Sequence, residues 1–141
     1  MTQSIPILNL KAQYATIQEE LESTILEVLR SGNYILGKYV GTLEKQVAEL
    51  CGVNDGIGVA NGTDALMLAL WGLGIGPGDE VITTPFTFAA TVEAIVMRGA
   101  TPVFVDIDPT SYNINPALIE KAITSKTKAI MPVHLYGLPS H

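Results

Sequence analysis

Val59-Ala60-Asn61-Gly62-Thr63-Asp64-Ala65-Leu66 is the stretch on which the fold turns. A short apolar run, Gly56 to Ala60, stops at Asn61-Gly62 and gives way to Ala65-Leu66-Met67-Leu68-Ala69-Leu70-Trp71, composed of strong helix formers. The pattern predicts a strand, a tight glycine turn and a helix, with Thr63 as N-cap and Asp64 in the first turn. Unpaired N–H groups at a helix N-terminus attract anions, and Gly62 lets a phosphate come close to the backbone. Many strand–helix turns carry a glycine and bind nothing, so the neighbouring sequence must decide.

The 141 residues suit about one domain with a buried core; they are 48% hydrophobic and 16% charged. Eight basic residues against fourteen acidic ones give a net charge of −6. Without a basic cluster, nucleic acid and anionic membranes are poor partners. Cys51 is the single cysteine, which excludes an internal disulfide or zinc cluster and fits a reducing compartment. Met1 to Leu8 lacks the regions of a signal peptide, and the run Ala65 to Gly76 is too short to span a bilayer. The expectation is a soluble cytoplasmic chain.

In the N-terminal third, Tyr14, Ile17, Leu21, Ile25 and Val28 recur at steps of three and four, opposite Glu19, Glu20, Glu22 and Glu27. This is an amphipathic helix ending at Ser31-Gly32, its stripe destined for a core or subunit interface. A loop follows, then a second amphipathic helix with Val40, Leu43, Val47 and Leu50 facing inward and Gly52 beyond its end. Past the turn at Gly74 to Asp79, strands are predicted at Glu80 to Thr84, Pro102 to Val105 and Lys128 to Val133. Helices are predicted over Phe88 to Arg98 and, from the N-cap Asn115 with Pro116 behind it, to about Ile123. Alternating strands and helices of this length give an α/β class with a mainly parallel sheet and helices on both faces. Ligands of such sheets sit beyond the carboxyl ends of the strands, here Asn61-Gly62-Thr63, Pro85 to Phe88, Asp106 to Asp108 and His134 to Tyr136.

Several chemical readings compete. Gly32 to Tyr39 nearly spells a P-loop, but Tyr39 stands where a Ser or Thr hydroxyl must reach Mg²⁺, and the stretch follows a helix rather than a strand. The glycines at 72, 74, 76 and 78 miss the dinucleotide spacing and read as a turn. Asp106 and Asp108 could ligate a metal, although two aspartates at this spacing more often cap the next turn. His134 could touch a ligand or be a satisfied structural histidine. Phe88 is the aromatic best placed to lie on a flat ring near Gly62 and Thr63, its alternative being a core phenylalanine.

Taken together, these segments resemble the N-terminal part of the DegT/StrS-type family of nucleotide-sugar aminotransferases, which depend on pyridoxal phosphate. The resemblance runs through Ser31 to Gly37, Ala60 to Leu66, Gly76 to Ile82, Thr87 to Thr91, Pro102 to Asp106 and Pro132 to Gly137, in family order. It implies a partial large domain of a fold-type-I pyridoxal-phosphate-dependent transferase, divided into an N-terminal helix with a substrate-side loop, 1–37, and the first half of the cofactor-binding domain, 38–141. By resemblance, Gly62 and Thr63 hold the cofactor phosphate, Phe88 stacks on the pyridine ring, and Tyr34 lies near the substrate mouth of a homodimer.

The same resemblance implies transfer of an amino group from an amino acid, glutamate, to a keto-sugar carried on a nucleotide, in polysaccharide biosynthesis. That chemistry needs a lysine to bind the cofactor covalently and an aspartate to keep its pyridine nitrogen protonated. Both family motifs fall after the matched region, and Lys11, Lys38, Lys45, Lys121, Lys126 and Lys128 match neither. The 141 residues alone are therefore expected to be inactive. The segment at Ile57 to Ala60 would have no neighbouring strand, leaving the isolated chain marginally stable or prone to aggregate. A sugar dehydratase of the same family, with histidine in place of the lysine, and a non-catalytic assembly or cofactor-binding fragment are the alternatives.

Overall fold

The structure, a computed structural model, describes residues 6–141; residues 1–5, the start of the predicted 1–37 segment, lie outside the described residues. The chain divides into two compact units, Met1–Gly58 and Val59–His141.

Two helices make up the first unit, α1 (Leu10–Ser31) and α2 (Lys38–Cys51). The Asn9 side chain caps α1 by accepting the Ala12 N–H at 3.1 Å. Gly32 and Gly52 close the two helices in the left-handed conformation, at φ +67° and +66°. Behind α2 the chain runs so close that a Cβ on Gly56 would lie 2.5 Å from the Glu44 carbonyl oxygen. Only glycine fits there. The Glu44 carboxylate then accepts the Gly58 N–H at 2.7 Å. Burial is sparse: α1 has no buried residue and α2 only Ala48. Leu43, Val47 and Leu50, expected to face inward, are exposed, Leu50 at 86%. Among the described residues of this unit, none covers that face. Their spacing reports an apolar stripe and leaves its cover unspecified.

The second unit is a three-stranded parallel sheet with helices on both faces. In chain order it runs α3 (Gly62–Gly72), β1 (Glu80–Thr83), α4 (Ala89–Met97), β2 (Thr101–Phe104), α5 (Pro116–Ala122) and β3 (Thr127–Ile130), and then a single 3₁₀ turn, Leu135–Gly137. The sheet order is β2-β1-β3. β1 is the centre, and Val81, Ile82 and Thr83 each have no exposed surface. Strand alternation sends Val81 and Ile82 to opposite sides. Val81 joins Leu70 of α3 and Ala94 and Ile95 of α4, while Ile82 packs with Val105, Ile114 and Leu118 and Ile119 of α5. Each fully buried aliphatic side chain is worth roughly 1.5–3 kcal/mol relative to exposure. The β1–β3 ladder is irregular: Glu80 pairs with Thr127 but Val81 with Ala129, so Lys128 is an extra residue.

The predicted strand at Ile57 to Ala60 does not form; the segment joins no ladder among the described residues. A strand exists only with a partner to take its backbone bonds, and none lies alongside.

Candidate functional site

Helix α3 begins at Gly62, and its cap is Asn61 rather than Thr63. Asn61 holds the extended backbone of an N-cap and accepts the Asp64 N–H at 2.9 Å, while its amide donates to the Asp64 carboxylate at 3.2 Å. Both residues are capping types, and the extended conformation settles on the one before the glycine. Gly62 and Thr63 thus become the first two helical residues. The first intrahelical bond runs from the Ala65 N–H to the Asn61 carbonyl at 3.1 Å, leaving the N–H groups of Gly62 and Thr63 free for another acceptor. A Cβ on Gly62 would meet nothing within 4 Å, and its φ is not positive. Neither packing nor backbone conformation in this chain requires glycine at that position.

Phe88 is the N-cap of α4 and is 78% exposed, which excludes the core phenylalanine reading within this chain. The preceding loop is pinned by buried threonines. The Thr83 hydroxyl donates to the Met131 carbonyl at 2.9 Å, and the Thr84 hydroxyl accepts the Phe86 N–H at 3.3 Å. The Thr87 and Thr91 hydroxyls lie 2.8 Å apart across the first turn of α4.

Topology brings the starts of α3 and α4 to the same edge. Each helix runs into the amino end of a parallel strand, so their last turns lie together. There the Arg98 guanidinium sits 5.7 Å from the Trp71 ring centroid, and Pro77 packs against Gly99. Their first turns, carrying Gly62, Thr63 and Phe88, therefore face the carboxyl edge of the sheet.

Two further loops complete that edge. After β2, one oxygen of Asp108 accepts the Thr110 and Ser111 N–H groups at 3.0 and 2.9 Å. These bonds, Ser111 first and Thr110 next, hold the carboxyl below its ordinary value. Asp108 caps the turn. Asp106 accepts the adjacent Ile107 N–H at 2.8 Å. Among the described residues, no three His, Cys, Asp or Glu side chains gather as a metal site. The Phe86 and Tyr112 rings lie 5.9 Å apart, joining the loops after β1 and β2. Beyond β3, His134 Nδ1 accepts the Ser140 N–H at 3.0 Å. A neutral ring in that bond carries its proton on Nε2.

Asn113 is the residue that sequence reasoning missed. It is 2% exposed. Its side-chain oxygen accepts the Leu135 N–H at 3.1 Å and its amide donates to the Leu138 carbonyl at 3.0 Å. An asparagine inside a polar loop gives no sequence signal for partners more than twenty residues away.

Tyr34 belongs to the first unit. Its hydroxyl donates to the Leu29 carbonyl at 3.1 Å, and its ring lines a cleft of about 240 Å³ with Glu27, Val28, Lys38, Tyr39 and Val40. Glu27 is salt-bridged to Lys38 and accepts the Tyr39 hydroxyl at 2.7 Å. Lys38 and then Tyr39 hold the Glu27 carboxyl low, and Glu27 in turn raises the Lys38 ammonium.

With the geometry established, the likeness to known proteins is informative. An Acidithiobacillus ferrooxidans protein named UDP-N-acetyl-3-dehydro-alpha-D-glucosamine 3-aminotransferase is 54% identical over 142 residues, covering 99% of this chain and 38% of its own. The crystal structure of S. venezuelae DesV, in complex with a ketimine intermediate, superposes with a TM-score of 0.94 at 46% identity, over 99% of this chain and 38% of that one. NtdA from Bacillus subtilis, with bound cofactor PMP, gives a TM-score of 0.90 at 38% identity, over 97% and 32%. The chain thus spans less than two-fifths of the proteins it matches. These neighbours carry the fold-type-I architecture, of which the parallel sheet and its helices are a part. The sequence profile of the DegT/DnrJ/EryC1/StrS aminotransferases matches residues 15–141, and the chain belongs to that family.

Proposed function

We propose that this chain forms the N-terminal part of a cytoplasmic, pyridoxal-phosphate-dependent aminotransferase acting on a nucleotide-linked keto-sugar, with glutamate as amino donor and a homodimer as the working assembly. In this reading residues 1–37 supply the substrate-side helix and loop, and 38–141 the first half of the cofactor domain. The free N–H groups of Gly62 and Thr63, with the Thr63 hydroxyl, hold the cofactor phosphate at the positive end of α3. Phe88 offers its exposed face to the pyridine ring from the neighbouring helix start. Tyr34 serves the substrate side. When bound, pyridoxal phosphate supplies the electron sink that amino-group transfer needs. The residues described here bind and orient it.

The observation that carries this reading is a pair of helix starts at one sheet edge: Gly62, a glycine that nothing among the described residues requires, with unused donors beside it, and Phe88, an exposed aromatic. The named activity of the Acidithiobacillus ferrooxidans relative supports the substrate class. No described helix is long and apolar enough to cross a membrane.

The test is titration of the gene product that carries this segment with pyridoxal phosphate, followed by absorbance, alongside Phe88→Ala and Thr63→Ala. Each substitution is expected to weaken binding by roughly three- to tenfold, the loss of one stacking or hydrogen-bonding contact. Wild-type protein that takes up no cofactor, or variants that bind as tightly as wild type, would overturn it.

A further inference from the structure

We propose that Asn113 is a positioning residue that latches the segment Leu135–Leu138 and so presents Tyr136 to the substrate at the carboxyl edge of the sheet. The inference rests on the proposed placement of the ligand site at that edge.

Three observations converge. First, Asn113 is a buried amide whose oxygen and nitrogen are both used across the fold, on the Leu135 N–H and the Leu138 carbonyl. Its own carbonyl accepts the Asp108 N–H at 2.9 Å, so one residue ties the loop after β2 to the loop after β3. Second, the segment it grips is strained. Tyr136 sits at φ +53° and ψ +24° inside the 3₁₀ turn, a left-handed conformation that a large side chain adopts only when its surroundings impose it. Third, the side chain obtains nothing from that strain within this chain, since Tyr136 is 91% exposed. A buried latch is thus spent on holding an exposed aromatic in an unfavourable backbone conformation, just past the carboxyl end of β3. An amphipathic ring held in that way suits contact with a polar, ring-shaped ligand such as a sugar.

A latch that acts through Tyr136 affects binding of the sugar in ground state and transition state alike, so its loss raises KM and spares kcat. Two variants are compared in the gene product that carries this segment. Asn113→Ala removes both latch bonds. Tyr136→Gly removes the ring and relieves the strain, since glycine adopts a positive φ without cost. Hydrogen exchange is expected to show faster exchange of the Leu135 N–H in Asn113→Ala, with β1 amides unchanged. Both variants should raise KM for the nucleotide-linked sugar by about tenfold, with KM for the amino donor and kcat changed little. Unchanged protection at Leu135, or a loosened Leu135 with wild-type KM for the sugar, overturns the proposal. Where Asn113→Ala does not fold, a wild-type KM in Tyr136→Gly overturns it equally. A wild-type protein without transaminase activity would instead refute the proposed function, and the exchange result would still report whether the latch exists.

Discussion

The first unit, with α1 and α2, and the second, built on β1, use apolar residues to opposite ends. Helix α1 has the cleaner stripe, Tyr14, Ile17, Leu21 and Ile25 at regular spacing, yet none of these is buried. Helix α3 is apolar on nearly every side, and it buries Leu70 and packs Leu66 and Met67 against the core. Periodicity states that a face is to be covered, and says nothing about what covers it. In the second unit the cover is local, because β1 and β2 are each followed by a helix that returns over the sheet. Among the described residues of the first unit there is no such layer.

That contrast can be broken most directly by truncating one side chain in each unit. Ile82→Ala, at the centre of the sheet, should cost about 2–5 kcal/mol in urea unfolding. Leu50→Ala, on the exposed face of α2, should stay within about 0.5 kcal/mol. Equal losses would mean that α2 has a partner in solution that this chain does not show. Helix caps sharpen the comparison at smaller amplitude. Asn61→Ala should lower the stability of the second unit by about 1 kcal/mol, whereas Asn9→Ala should reduce helical circular dichroism without moving the main transition.

Acidification probes one loop of the packed unit. The Asp108 carboxyl is held below its ordinary value of 3.8 by the Ser111 and Thr110 N–H groups. A depressed folded pKa contributes stability above the unfolded value, and that contribution fades as pH falls through the folded one. The protection of the Thr110 and Ser111 amides, relative to intrinsic exchange at each pH, should therefore be constant at neutral pH and fall only below 3.8. Asp108→Asn should abolish that acid limb. The smallest effect belongs to the exposed Glu27–Lys38 pair of the first unit, where Lys38→Met should leave the melting temperature unchanged within error at physiological salt.

Much of the second unit was legible because its signals are local. Asn115 followed by Pro116 marks a helix start in a few residues, and the Asn115 side chain does accept the Ala117 N–H. Val81, Ile82 and Thr83 read as a buried strand, and Asp108 as the cap of a turn, for the same reason. Features that depend on distant partners were not legible. Ile57 to Ala60 has strand composition and no strand beside it. Asn113 finds its partners at Leu135 and Leu138. At the candidate site, sequence order named Gly62, Thr63 and Phe88, and topology then set α3 and α4 side by side. The choice between Asn61 and Thr63 as cap turned on one backbone conformation, which residue type alone does not specify. Tyr34 lies in the other unit, and its part in the site rests on the family resemblance.

The extra residue in β3 has a genetic consequence. In a regular strand, losing one codon rotates every later side chain to the opposite face, and the core is lost with it. At Lys128 the ladder already counts one residue too many, between the pairs Glu80–Thr127 and Val81–Ala129. Deleting that codon is expected to make the ladder regular and to leave Ala129 and Met131 against the core they now meet. A protein lacking Lys128 should therefore keep its cooperative unfolding, whereas loss of one residue within β1 should abolish it.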